Sequence, residues 1–247
     1  MKGIISICGK GGVGKTTIAA LLSRLIIEQE DLRGLVIDAD PGAGLSMALS
    51  LPIKKTINDL RESIIAAAKE HAADKLNMAA SIDFQLLESL SEYKNLAFLA
   101  VGRPEEEGCY CRVNSFLRES IQMLAGQFDL TIIDAEAGVE QVNRRVMEGV
   151  DFLLLVSDLS TKGLNVAGAI EKVAAKTING HGVGLVINRV RSEEEVRYAQ
   201  SSTTLPIIGW LPEDSTVRDF DITGKSFFNL PETPALQAIR ILMHRLW

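Results

Sequence analysis

Continuous apolar, β-branched runs recur along the chain at residues 3–8, 34–39, 96–101, 129–134, 152–157, 183–188 and 205–210. Uninterrupted runs predict strands covered on both faces, because a strand with one wet face would alternate apolar and polar side chains. Most of the segments between them space their apolar residues three and four apart, the period of a helix with one buried stripe. Strand and helix in alternation predict an α/β fold, a mostly parallel sheet with helices on both faces whose ligands collect at the carboxyl ends of the strands. The pattern changes between about residues 51 and 95, where Ile57, Leu60, Ile64, Ile65 and Ala68 fall on one helical stripe and 78–94 is less regular. This predicts a helical insertion within a single domain spanning 1–247. At the far end Leu236, Ile239, Leu242, Met243 and Leu246 make another stripe, with Arg240 and Arg245 opposite. A last helix packed on the sheet is expected, although periodicity alone also fits a helix lying on a membrane surface.

The first apolar run leads directly into Gly9-Lys10-Gly11-Gly12-Val13-Gly14-Lys15-Thr16-Thr17. A strand that ends in a glycine-rich turn and opens into a helix aims backbone N–H groups and the positive helix end at one spot, where di- or triphosphate oxygens fit. In that pattern Lys15 lies along the β and γ oxygens, the Thr16 hydroxyl is a Mg²⁺ ligand, and Thr17 begins the helix packing. Lys10 is the unusual member. It cannot easily fold back onto phosphates wrapped by its own loop, so it is expected to point outward toward a second subunit; a plain solvated lysine is the alternative. The run 130–134 ends in Asp134, followed by Ala135-Glu136-Ala137-Gly138, an apolar strand delivering an acid to the magnesium. Glu136 has no assigned role. The second run delivers Asp38 and Asp40, which project to opposite sides of an extended segment and so serve different tasks, or else cap the next helix.

The loop resembles the deviant Walker A motif of the MinD/ParA/nitrogenase iron protein class of P-loop ATPases. That resemblance implies a homodimer that sandwiches ATP and exchanges Lys10 across the interface, with the 51–95 insertion on the dimer-facing side. It implies that Asp40 positions the attacking water, that Asp38 helps hold the magnesium hydration shell, and that the backbone of Gly138 senses the γ-phosphate. It also puts the adenine at the ends of two later strands, against Asn188 and Arg189 on one and Pro212 and Asp214 on the other. The Asn188 amide would offer a donor and an acceptor to the base edge. Without the resemblance Asn188 is a turn residue.

Cys109 and Cys111 stand in Gly108-Cys109-Tyr110-Cys111-Arg112. Two thiols at this spacing supply half of a four-sulfur site, and a two-fold dimer supplies the other half. A neighbouring arginine and helix start favour the thiolate, which is the metal-binding form. A pair of inert small residues fits the same spacing, and Cys8, at the end of the first run, is expected in the core. The stretches GCYCRVNSFLR at 108–118, DAEAGVE at 134–140 and VINRVR at 186–191 are similar to CooC-type nickel-insertion ATPases. The resemblance implies an ATP/ADP-controlled dimer holding one Ni²⁺, or Zn²⁺ in its place, between two C-x-C motifs. Its client would be carbon monoxide dehydrogenase, acetyl-CoA synthase or another nickel enzyme. Family members often carry a histidine where this chain has Gln141. Two rivals share the loop: a MinD/ParA-type partitioning ATPase, and an iron–sulfur electron carrier. The carrier draws its cysteines from separated loops, one just after the strand that ends in Asp134, where Ala137 and Gly138 offer no thiol.

Composition narrows the field further. A net charge of −6 with scattered Lys and Arg speaks against a broad nucleic-acid surface. The apolar opening runs into the glycine loop without a small-residue cleavage site, and no run approaches membrane-spanning length. Three cysteines in such a chain fit a reducing cytoplasm and metal or redox chemistry. His71, His181 and His244 belong to no motif and are given no ligand role.

Overall fold

The computed structural model describes residues 3–70, 84–103, 119, 121–135, 149–174 and 182–246. Eight strands among them form one sheet: β1 (Gly3–Gly9), β2 (Gly34–Asp38), β3 (Ser91–Tyr93), β4 (Leu96–Ala100), β5 (Leu130–Asp134), β6 (Phe152–Ser157), β7 (Gly182–Val190) and β8 (Ile207–Pro212). Their spatial order is β3-β4-β2-β5-β1-β6-β7-β8. All neighbours pair in parallel except β3 and β4, so the expected α/β architecture is present with one short antiparallel edge.

Alternate residues of each strand enter two separate apolar layers. Val36, Phe98, Ile132, Leu154 and Val156 face one, while Leu35, Ile37, Leu99, Leu153 and Leu155 face the other. The first layer is closed by α1 (Lys15–Ile26), α2 (Gly44–Leu49), a 3-10 turn at Phe227–Asn229 and the last helix. The second is closed by α3 (Ile57–Glu70), α4 (Thr161–Ala174) and, through Ala199, α5 (Glu193–Ser202). Helices on both faces leave the central strands dry, which is why they read as unbroken apolar runs. Cys8 lies in the second layer, where burial pushes its thiol up to about 11.

In the 51–95 region, Ile57, Leu60 and Ile64 are buried against the sheet. Thr56 bridges to Ala100 in parallel, and Ser91–Tyr93 adds the edge strand. The less regular 78–94 therefore contains a strand that its pattern did not announce, too short to show a period. Between α5 and the chain end, α6 (Ser215–Thr223) follows β8 and α7 (Pro234–Leu246) closes the first layer. The stripe Leu236, Ile239, Leu242 and Met243 is buried there, and Leu246 packs partly against it. Opposite, Arg240 bridges Glu28 and Glu232, and Arg245 donates to the Ile208 carbonyl at 2.6 Å. Among the described residues no helix is long and apolar enough to cross a membrane.

Candidate functional site

Register brings the expected residues to one edge of the sheet. Asp38 pairs with Asp134 across β2 and β5, Ile7 with Asp134 across β1 and β5, and Gly9 with Val156 across β1 and β6. The glycine loop leaves the sheet at that level. A Cβ on Gly9 would lie 2.2 Å from the Val156 carbonyl oxygen, so only glycine lets β1 turn away beside β6. Gly14 caps α1 in the left-handed region at φ 94, and a Cβ there would strike the Asn188 amide nitrogen at 2.3 Å. The resulting curl puts Lys15 at its base, buried, with Nζ 3.4 Å from the Lys10 carbonyl oxygen. Thr16 sits against Gly44 of α2 on one side and near Asp134 on the other.

Asp134 is 1% exposed, and neither of its oxygens has a well-formed hydrogen bond among the described residues. Burial is the main cause that lifts its pKa to about 7; the charges of Asp38 and Asp40 add to the rise, while the Thr16 hydroxyl and Lys15 oppose it. A buried carboxylate with no well-formed hydrogen bond among the described residues, beside a lysine and a hydroxyl, is an arrangement completed by a cation. Asp134 and Thr16 are thus fitted to hold Mg²⁺, and the glycine curl with Lys15 to hold phosphate.

That strain has a measurable sign. Because the folded pKa lies above the ordinary 3.8, the cation-free protein has this contribution in full below about pH 4 and loses it as pH rises through about 7. The loss is at most about 4 kcal/mol. In chelator, urea unfolding of the wild type should show lower stability at pH 8 than at pH 5. Asp134→Asn should flatten that dependence and raise stability at pH 8 by about 2 kcal/mol. A variant less stable than wild type at pH 8 would show that Asp134 is satisfied without a cation.

Asp38, expected to help hold magnesium water, already accepts backbone hydrogen bonds. Its Oδ2 accepts the N–H groups of Leu45 and Ser46 at 3.0 and 3.3 Å, and its Oδ1 that of Asp40 at 3.2 Å. It therefore anchors α2, the capping alternative raised by the sequence; burial raises its pKa and these N–H groups oppose the rise. Asp40 is half-buried and accepts from Gly42 N with Oδ1 at 2.8 Å, close enough to Asp134 for its charge to be felt there.

Lys10 is not free. Its Nζ lies 3.8 Å from Asp158 Oδ2, just past β6. The other Asp158 oxygen is held by the Ser160 hydroxyl at 2.5 Å and its N–H at 3.2 Å. Asp158 belongs to no motif in the sequence; its one signal is an acid just past a strand end, one residue beyond β6, as Asp40 lies two residues beyond β2.

A cavity of about 470 Å³ opens beside the loop, and Thr17, Asn188, Arg189, Pro212 and Asp214 all line it. The adenine residues implied by the resemblance thus converge. Two of them are already engaged. Asp214 caps α6 through the N–H groups of Thr216 and Val217 and also receives Ala235 N. The Asn188 amide donates to the Val13 carbonyl at 2.8 Å and accepts from Arg189 N at 2.9 Å. Arg191 forks onto Glu213 at the lip of the cavity. Among the described residues no group of three or more His, Cys, Asp or Glu side chains could hold a metal ion. Cys109, Cys111, Glu136, Gly138 and Gln141 lie outside the described residues.

Comparison with known proteins agrees with this geometry. Residues 4–227 match the model of the CobQ/CobB/MinD/ParA nucleotide binding domain. An uncharacterised ATP-binding protein of Methanocaldococcus jannaschii is 35% identical over 237 residues, covering 93% of this chain and 92% of its own. The carbon monoxide dehydrogenase accessory protein CooC of Rhodospirillum rubrum is 28% identical over 239 residues, covering 92% and 89%. In structure, the septum site-determining protein MinD of Pyrococcus horikoshii, solved with Mg-ADP, superimposes with a TM-score of 0.72 at 23% identity over 100% of this chain and 96% of its own.

Proposed function

The chain belongs to the CobQ/CobB/MinD/ParA nucleotide-binding domain family, and from that premise we propose that it is an ATP-dependent metallochaperone. In this reading a homodimer binds nickel, or zinc, at Cys109 and Cys111 of both subunits. It hydrolyses ATP and delivers the metal to carbon monoxide dehydrogenase or a related nickel enzyme in the cytoplasm. The whole chain serves as one ATPase domain, with the 51–95 segment toward the partner subunit. The likeness to CooC supports the cargo and the client.

The observation that carries the reading is the position of β2 in the sheet. β2 ends in Asp38 between β4 and β5, and the chain joining those two strands contains both cysteines. Val101, the first residue past β4, donates its N–H to the Asp38 carbonyl at 2.8 Å, and Ala39 donates to that of Asp134 at 2.9 Å. A shift of the Asp38–Asp40 segment on hydrolysis is therefore passed by backbone hydrogen bonds to the start of the cysteine segment. The rival in which the last helix anchors the protein on a membrane lacks an apolar face to use, because that stripe is buried.

In the proposed reaction Lys15 and the loop N–H groups hold the triphosphate, and Asp40 orients water for in-line attack. Thr16 and Asp134 hold the magnesium, with Asp38 keeping α2 and Thr16 in place. Mg²⁺, when bound, neutralises charge on the phosphate oxygens. Lys10 of one subunit serves the phosphates of the other, adding charge stabilisation as the γ-phosphoryl leaves. Asp40→Asn should then keep ATP affinity and lose turnover by about 100-fold, accumulating ATP-bound dimer on a sizing column. Normal hydrolysis by this variant would remove Asp40 from the mechanism.

The cargo is tested by titrating the reduced protein with Ni²⁺ and with Zn²⁺, with and without ATP, while following oligomer mass. Metal affinity should change with nucleotide, since closing the dimer moves the two cysteine segments together. Identical metal binding in both nucleotide states would leave the family assignment standing and remove the chaperone.

A further inference from the structure

We propose that Asn188 acts on the phosphates through the loop, as a positioning residue that ties the wall of the base cavity to the phosphate curl. This deepens the nucleotide-site reading and rests on it. Asn188 is 7% exposed, and its amide spans a sequence separation of 175 residues to donate to Val13 at 2.8 Å. Val13 is itself 1% exposed, so its carbonyl has little access to water as an alternative partner. The fit is tight: the space where a Gly14 side chain would begin is taken by the Asn188 nitrogen. The glycine at position 14 is therefore demanded twice, by its left-handed φ of 94 and by this amide.

The other end of the same amide meets the base cavity. Its oxygen accepts the N–H of Arg189, which has a φ of 61, a left-handed conformation unfavourable for a side chain of this kind. Arg189 lies in an irregularity of β7, after which Val190 pairs with Pro212 of β8. One side chain thus holds the loop by its nitrogen and the cavity wall by its oxygen. With a donor and an acceptor engaged inside the protein, its main contribution is to the shape of the loop, and that contribution is the same whether or not a base is present.

Inorganic tripolyphosphate, which carries the phosphates and no base, separates this from a base contact. Its affinity and that of ATP, both with Mg²⁺, are measured by calorimetry for wild type and Asn188→Ala, well below the melting midpoint of each. The expected result is a fall of about tenfold for both ligands, with KM for ATP rising by a similar factor and kcat changing less than KM. Without ligand, amide exchange of Gly11–Gly14 should accelerate in the variant. If Asn188→Ala does not fold, Asn188→Ser, which keeps a hydroxyl acceptor for Arg189 N, gives the same comparison. Unchanged tripolyphosphate affinity or unchanged loop exchange would overturn the proposal. A fall confined to ATP would make Asn188 a base contact instead. Wild-type protein that binds neither ligand would bring down the nucleotide reading itself.

Discussion

Lys10→Ala is expected to leave ATP affinity within about threefold of wild type and to lower kcat by about 10³-fold, the scale of a cationic finger that reaches a phosphoryl group from another subunit. The structure separates the two lysines of the loop. Lys15 is buried at the base of the curl, whereas the Lys10 ammonium turns to Asp158. In the proposed site, removing the former takes away a charge on the phosphates, and removing the latter does not. The Asp158 pair is no obstacle to movement. Both side chains are about a third exposed, so the pair holds Lys10 by about 1 kcal/mol or less. Transition-state stabilisation of about 4 kcal/mol, the equivalent of 10³ in rate, exceeds that easily.

Mixing two inactive variants decides between action in cis and in trans. In a mixed dimer of Lys10→Ala with Asp40→Asn, a lysine acting in trans completes one site, on the subunit that retains Asp40. Equal mixing should therefore restore about a quarter of wild-type turnover, since half the dimers are mixed and each has one competent site. A lysine acting in cis restores nothing. Steady-state ATPase assays on the mixture read the difference, and absence of recovery would exclude the exchange of Lys10 between subunits.

Cys109→Ser and Cys111→Ser are each expected to abolish tight nickel and zinc binding while ATP affinity stays at the wild-type value. Wild type should bind about one metal ion per two chains, because each chain offers two of the four thiolates. A metal that binds the dimer and not the lone subunit tightens dimerisation by mass action, about a hundredfold when its concentration is a hundred times the dissociation constant. Zinc takes the four thiolates as a tetrahedron and nickel as a square plane, so the two metals should bind with different dependence on nucleotide. ATP binding persists because the phosphate loop is built from β1 and α1, and the described nucleotide cavity includes no cysteine. One metal per chain, or full binding by the double serine variant, would exclude the shared site.

Sequence alone determined seven of the eight strands, their cover on both faces, and the phosphate loop. Each of these is written in local periods: dry strands such as Leu153–Val156 show no alternation, and GKGGVGKTT combines turn-permitting glycines with a lysine and a hydroxyl at fixed spacing. The order of strands was not readable, nor was β3, whose three residues are too few to display a pattern. What individual polar residues do was decided only by tertiary structure. Asp38 and Asp134 look alike at the ends of apolar runs, yet Asp38 accepts three backbone N–H groups from the segment that follows it, while Asp134, buried at the end of β5, has no well-formed hydrogen bond among the described residues. Lys10 and Asp158 lie far apart in the chain and meet because β1 and β6 are neighbours. Asn188 reads as a turn residue, and becomes the brace of a loop 175 positions away only when β7 lies beside β6 and β6 beside β1. A hydrogen bond or an ion pair is a property of distance in space, and a period along one segment records only which face that segment buries.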